Sequence, residues 1–157
     1  MQCSRYLDES MKYASAVEKC KSLNAEVTTS KSQEENTFVV GLISSAVWLG
    51  LTDDVKEGEH IWVDGTPLDY SNWHDGEPNN WNNIQDCVEL TTSGKWNNRN
   101  CENGYGVVCK RPVQDVKYCL DFWDKCRDML VLKPSMCTDL RIRRSTVPTN
   151  MWNLQYL

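Results

Sequence analysis

Glu77-Pro78-Asn79-Asn80-Trp81-Asn82-Asn83-Ile84-Gln85-Asp86-Cys87-Val88-Glu89-Leu90 runs from an asparagine-rich stretch without apolar periodicity into a short β-type run headed by a cysteine. The first part reads as loop, and Cys87 to Thr91, closed by Ser93-Gly94, reads as a strand. The loop starts further back. Thr66 to Asp86 holds three prolines or glycines, two tryptophans and five asparagines, too long for a hairpin and too aromatic for a linker. Long ordered loops on a rigid scaffold are where binding chemistry usually sits.

On either side lie further short β-type runs: Val47–Leu51, His60–Val63 ending at Asp64-Gly65, and Gly106–Lys110. They read as antiparallel strands. Two helices are expected ahead of them. Over Met11 to Leu23, Tyr13, Ala16, Val17, Cys20 and Asn24 recur at helical spacing, with Lys12, Glu18, Lys19 and Lys21 opposite, so Cys20 points inward. Ser32-Gln33-Glu34-Glu35 has the form of a capping box, in which the Ser32 hydroxyl and Glu35 carboxylate satisfy free backbone N–H groups, followed by Phe38, Val39, Leu42 and Ile43 as the buried stripe.

The 157 residues suffice for one globular domain and a small appendage. Residues 112–157 carry seven basic and five acidic side chains, a net of +2, which leaves −7 on residues 1–111 out of a total of −5. No basic stripe interleaved with aromatics is present, which argues against nucleic acid as a partner. The longest apolar runs fall far short of the ~20 residues that span a bilayer, so no membrane span is expected. Eight cysteines at irregular separations fit disulfides in an oxidising, extracellular setting, so the protein is expected to be secreted, although no signal peptide precedes Cys3 in this chain. Zinc is disfavoured, because no Cys-x2-4-Cys knuckle occurs and His60 and His74 are remote from the cysteines. No enzyme is expected: neither a serine nor a cysteine nucleophile stands in a motif with a histidine, and Glu77 lacks a partner acid.

Seven pieces in order, Trp48-Leu49-Gly50-Leu51, Trp62-Val63-Asp64-Gly65, Tyr70-Ser71-Asn72-Trp73, Glu77-Pro78-Asn79, Asp86-Cys87-Val88-Glu89-Leu90, Gly94-Lys95-Trp96-Asn97 and Cys101 to Val108-Cys109-Lys110, resemble the C-type lectin-like domain family. The resemblance covers residues 3–111. It implies an α+β fold, with two helices flanking short antiparallel sheets, a long ordered loop region, and disulfides Cys20–Cys109 and Cys87–Cys101. Closing the first, across 88 intervening residues, stabilises by roughly 4–5 kcal/mol in the chain-entropy picture. Residues 112–157 form a cysteine-containing extension, with a helix expected over about 115–130 from the spacing of Val116, Cys119, Leu120, Trp123, Arg127 and Leu130.

A Glu-Pro bond adopts the cis form at modest cost, which brings the Glu77 and Asn79 side chains toward one point. Clusters of carboxylate and amide oxygens suit Ca²⁺, which takes 6–8 oxygen ligands. Position by position, the resemblance implies a primary calcium and sugar site of Glu77, Asn79, Gln85, Asn97 and Asn98, on which two neighbouring sugar hydroxyls complete the ion's shell. The Glu-Pro-Asn order implies mannose-type sugars on glycans or glycoproteins. Gln85 and Asn98 depart from the family's Glu and Asp, and the formal charge around the ion falls from −3 to −1, which weakens Ca²⁺ binding. An auxiliary calcium site is implied at Asp53, Glu57, Asn80, Gln85 and Asp86. The alternative reading is a calcium-independent module of the same fold that grips a protein or other non-sugar ligand.

Trp48, Trp62, Trp73 and Trp96 read as core and loop anchors rather than sugar platforms, while Trp81, among asparagines, is expected at the surface beside the site. His74 is expected to face solvent, and Arg141-Ile142-Arg143-Arg144 to be a solvated basic segment. Outside the two implied disulfides stand Cys3, Cys119, Cys126 and Cys137, whose three possible connectivities the sequence does not rank. Cys3 resembles the second member of the family's amino-terminal hairpin pair, whose partner would lie upstream of Met1 and leave Cys3 orphaned. An unpaired cysteine among the four would allow an intermolecular disulfide and hence an oligomer.

Overall fold

The computed structural model describes residues 2–112. The helix expected over 115–130, the pairing of Cys119, Cys126 and Cys137, and the basic segment at Arg141 lie outside the described residues.

The order of elements is β1 (Gln2–Met11), α1 (Tyr13–Ser22), β2 (Glu26–Val27), α2 (Gln33–Val40), β3 (Val47–Thr52), β4 (Ile61–Trp62), a 3-10 turn (Trp81–Asn83), β5 (Cys87–Leu90), β6 (Trp96–Arg99) and β7 (Tyr105–Pro112). The strands form a seven-stranded sheet whose main path is β1-β7-β3-β5-β6, with β2 paired to β7 and β4 to β3. Two expectations are corrected. The helices do not precede all β structure, because β1 comes before α1 and β2 lies between the helices. The sheet is mixed, not purely antiparallel: Val47 pairs with Gly106 and Trp48 with Val107 in parallel register.

α1 buries Ala16 and Cys20, the inward face its spacing predicts. Asn24 is not part of that face. It lies past the helix end, exposed, with φ of 53°, a left-handed conformation that Asn tolerates better than most residues. In α2, Ser32 Oγ accepts the Glu35 N–H at 3.2 Å, as a capping hydroxyl should. The Glu35 carboxylate reaches one residue further back than a capping box requires, accepting the Lys31 N–H at 2.8 Å. Because α2 ends at Val40, Leu42 and Ile43 pack on the core from the following turn rather than from the helix.

β3 and β5 bury nearly every residue, since both of their faces are covered. Gly50 permits this at one point, where an added Cβ would come within 2.8 Å of Val63 Cγ2 and 2.9 Å of the Val27 carbonyl oxygen. Val39, Val47, Leu49, Leu51, Trp62, Val88, Leu90, Trp96 and Val108 form the central core. Trp62, Tyr70 and Trp73 each meet Trp96 edge-on at 5.7–5.8 Å between ring centroids, the arrangement that ring quadrupoles favour.

The expected disulfides are both present, Cys20–Cys109 between α1 and β7 and Cys87–Cys101 at the start of β5. Cys3 is buried and is itself disulfide-bonded. The expectation of an orphaned thiol at this position is therefore corrected.

Candidate functional site

The long loop is tied to the sheet beside β6. The Trp96 N–H donates to the Asn72 carbonyl at 3.0 Å, and the His74 N–H donates to the Trp96 carbonyl at 2.8 Å. At the turn before β6, Gly94 has φ of +86° and its carbonyl accepts from the side chains of Asn36 at 2.9 Å and Asn72 at 2.7 Å. These bonds, with the edge-on packing of Trp73 on Trp96, hold the segment that leads into Glu77 directly alongside Asn97 and Asn98. His74 is exposed, as expected.

Around the Glu77–Pro78 bond, which is cis, the sequence-expected residues converge. Glu77 Oε2 accepts the Asn98 backbone N–H at 3.1 Å, and Glu77 Oε1 accepts from Asn79 Nδ2. Asn98 Oδ1 accepts the Asn79 backbone N–H at 3.0 Å, and Asn98 Nδ2 donates to the Gln85 carbonyl at 3.2 Å. Gln85 Oε1 accepts the Trp81 N–H at 2.7 Å, a donor it shares with Asn79 Oδ1 at 3.0 Å. Asn80, left-handed at φ of 38°, closes the loop by accepting the Gln85 N–H on its Oδ1 at 3.1 Å. Glu77, Asn79, Gln85 and Asn98 therefore form one connected network. Gln85 and Asn98 are buried within it, whereas Trp81 is 66% exposed at its edge.

Asn97 is attached differently. Its side chain is buried, and Nδ2 donates to Glu89 Oε1 at 2.7 Å. Glu89, 4% exposed, also accepts from Arg99 Nε at 2.9 Å and Nη2 at 2.8 Å. Such a buried carboxylate is tolerable only when paired and hydrogen-bonded. Because one end of the Asn97 amide is taken by Glu89, its Oδ1 is turned away from that carboxylate.

The residues expected at an auxiliary site are brought together only in part. Asp53 Oδ2 accepts the Gly58 N–H at 2.9 Å, while Oδ1 is buried without a hydrogen-bond partner, 3.8 Å from the equally unpartnered Nε2 of His60. Burial pushes the His60 imidazole below its ordinary pKa against the opposing pull of Asp53 and Glu57. Asp86 is held close by a backbone bond from Asp53 at 3.2 Å. Burial, then the charges of Asp53 and Asp54, push its carboxyl upward. Glu57 is exposed, and Asn80 faces the Gln85 backbone.

Donor chemistry in the primary cluster fits a hard cation: every side chain offers carboxylate or amide oxygens, with one formal negative charge. Among the described residues no three His, Cys, Asp or Glu side chains gather where they could hold a metal. A cation here would thus depend on amide oxygens.

A family model described as Lectin C-type domain matches residues 9–111. The chain belongs to the C-type lectin domain family. This C-type lectin domain is similar to the cow C-type carbohydrate-recognition domain of CD23, solved in the presence of a GlcNAc2Man3 oligosaccharide. The two are 36% identical over 73% of this chain and 90% of that one, with a TM-score of 0.69. It is also similar to the mouse scavenger receptor C-type lectin carbohydrate-recognition domain, at 29% identity over 70% and 89% of the two chains with a TM-score of 0.67. Human lithostathine is 28% identical over 69% of this chain and 90% of its own, with a TM-score of 0.64. C-type lectin domains are binding modules rather than enzymes; they bind carbohydrates, generally bind Ca²⁺, and are commonly extracellular. Among the described residues no helix is long and apolar enough to cross a membrane.

Glu89 and His60 are the two residues of the site that local sequence does not reveal. Glu89 gave a signal, a carboxylate amid Cys87, Val88 and Leu90, but its engagement with Asn97 depends on β5–β6 register. His60 carries no such signal, since it stands at the head of a β-type run and directly precedes β4.

Proposed function

We propose that this domain is a secreted lectin that takes mannose-type sugars at the Glu77, Asn79, Gln85, Asn97 and Asn98 cluster with the help of Ca²⁺. The observation that carries the reading is the convergence of Glu77, Asn79, Asn98 and Gln85 through direct hydrogen bonds, with Asn97 next to Asn98 on β6. In the bound domain, Glu77 accepts from a sugar hydroxyl, and the amide groups of Asn79 and Asn97 donate to one. Calcium, when bound, supplies a positive centre on which two adjacent hydroxyls rest. Gln85 and Asn98 contribute neutral oxygens, so affinity for the ion is weak, in the range of extracellular modules, ~10⁻⁴–10⁻³ M. Of the auxiliary set Asp53, Glu57, Asn80, Gln85 and Asp86, the neighbouring Asp53 and Asp86 are the part that supports a second site, with the unpartnered Asp53 Oδ1 as the supporting observation.

Retention on mannose–agarose in Ca²⁺ and release by EDTA is the expected result. A glycan array without binding at about 5–10 mM Ca²⁺, above millimolar dissociation constants, would overturn the lectin reading.

One observation favours a second reading, a calcium-independent module for a protein or other non-sugar ligand. The amides of Gln85 and Asn98 already satisfy the Trp81 and Asn79 N–H groups and the Gln85 carbonyl, so the loop holds together by its own bonds. Binding of a glycoprotein that survives both EDTA and deglycosylation would select it.

A further inference from the structure

Resting on the calcium-site reading above, we propose that Glu89 is a positioning residue for that site: it clamps the Asn97 amide so that Oδ1, and not Nδ2, faces the ion.

Three observations carry this. Glu89 and Asn97 are directly opposite each other in the antiparallel β5–β6 register, so the pair is set by the sheet rather than by the mobile geometry of a loop. The contact is buried and short, 2.7 Å from Asn97 Nδ2 to Glu89 Oε1. The carboxylate cannot swing away, because the Arg99 guanidinium holds the same oxygen through Nε at 2.9 Å and Nη2 at 2.8 Å. An amide has one acceptor end and one donor end. Flipping Asn97 would set its oxygen against a carboxylate oxygen, two acceptors at contact, in a place water does not reach. The clamp matters more here than in a fully acidic cluster: with neutral groups at Gln85 and Asn98, each wrongly turned amide presents N–H groups toward a cation.

The test separates affinity from stability. Ca²⁺ titrations followed by NMR, alongside thermal unfolding in EDTA, are run on the parent chain, Glu89→Gln and Glu89→Leu. Glu89→Gln keeps an oxygen for Asn97 and breaks the charge pair with Arg99. Its expected result is a lower melting temperature with Ca²⁺ affinity within about 3-fold of the parent. Glu89→Leu leaves Asn97 without its acceptor, and affinity is expected to fall roughly 10–100-fold, the range seen when a partner orienting a metal ligand is removed.

If both variants lose stability while both bind Ca²⁺ as the parent does, Glu89 is only a structural residue and the proposal is overturned. If the parent itself shows no Ca²⁺-dependent shifts, the calcium reading fails and takes this proposal with it. Should Glu89→Leu not fold, the parent decides alone. One Asn97 side-chain proton is expected to stay hydrogen-bonded and slow to exchange both without and with Ca²⁺, and loss of that protection on adding Ca²⁺ overturns the clamp.

Discussion

Asn98 bridges the two arms of the loop: its Oδ1 accepts the Asn79 N–H at 3.0 Å and its Nδ2 donates to the Gln85 carbonyl at 3.2 Å. An aspartate at this position would keep the first bond and set an oxygen against the carbonyl in the second. The amide is thus the better residue for a loop without an ion, and the carboxylate the better one for a loop around it.

The double change Gln85→Glu plus Asn98→Asp is therefore expected to act in opposite directions. Without Ca²⁺ it should cost about 1–3 kcal/mol, because a buried carbonyl loses its donor. With Ca²⁺ it should bind the ion about tenfold or more tightly, through two added charges. Calorimetry and thermal unfolding in EDTA measure the two effects separately, and unchanged Ca²⁺ affinity would misplace the site.

Trp81 is exposed and lies outside the core, so Trp81→Ala is expected to leave stability within about 0.5 kcal/mol of the parent. Retention on mannose–agarose should nevertheless weaken, since the indole offers an apolar face at the edge of the cluster. Equal retention by variant and parent would remove Trp81 from the binding surface.

Asp64 supplies a pH dependence. Burial works to raise its carboxyl, but hydrogen bonds from Lys31 and Thr66 outweigh it and hold the group at about 2 against an ordinary 3.8. A depressed carboxyl contributes stability that is present above the unfolded value and lost as pH falls from there toward the folded one. The Lys31–Asp64 pair is partly exposed, so its worth is about 0.2–1 kcal/mol. In urea unfolding at a series of pH values, Asp64→Asn should be less stable than the parent at pH 6 by that amount. The gap should close as pH drops from about 4 to about 2.

Trp96 is fully buried, meets three other aromatic rings edge-on and donates from Nε1 to Asn36 Oδ1 at 2.8 Å. Trp96→Ala is expected to cost about 3–5 kcal/mol. Because its ring also packs on Tyr70 and Trp73 of the long loop, ligand retention should fall in the fraction that stays folded, measured at a temperature well below the variant's midpoint.

Opening each disulfide by Cys→Ser pairs should rank the two. The Cys87–Cys101 link spans 14 residues of sequence and is expected to contribute about 3 kcal/mol, less than the roughly 4–5 of Cys20–Cys109, which spans 89. Denaturant midpoints of the two double variants give the order.

Much of this architecture is legible in the sequence where local signals and burial agree. The periodicity around Cys20, the Ser32 cap and the apolar runs of β3, β5 and β7 each fall within a few residues of the element observed. β1 and β6 escape for a shared reason. Gln2–Met11 carries Arg5, Asp8 and Glu9, and Trp96–Arg99 is mostly asparagine and arginine, so neither alternates apolar with polar. They are strands because their neighbours are, β1 against β7 and β6 against β5. The parallel β3–β7 pair joins residues far apart in sequence, which no window of the chain displays. Within the site, residue chemistry picked out only Glu77 and Asn79 around the prolyl bond, and the resemblance to the family, carried over position by position, added Gln85, Asn97 and Asn98. The role of Glu89 required knowing that both faces of β5 are covered.

The pairing of Gln2 with Pro112 has a mechanical corollary. Whatever chain leads into and out of this domain leaves from neighbouring points on one sheet edge, so a pull on the two ends peels β1 from β7 one hydrogen bond at a time rather than shearing them. On the β7 side the tear meets a covalent stop at Cys109, bonded to α1, and on the β1 side it meets the disulfide-bonded Cys3 one residue in from Gln2. The domain can therefore yield slightly at its rim under tension while the long loop, anchored beside β6, stays in register.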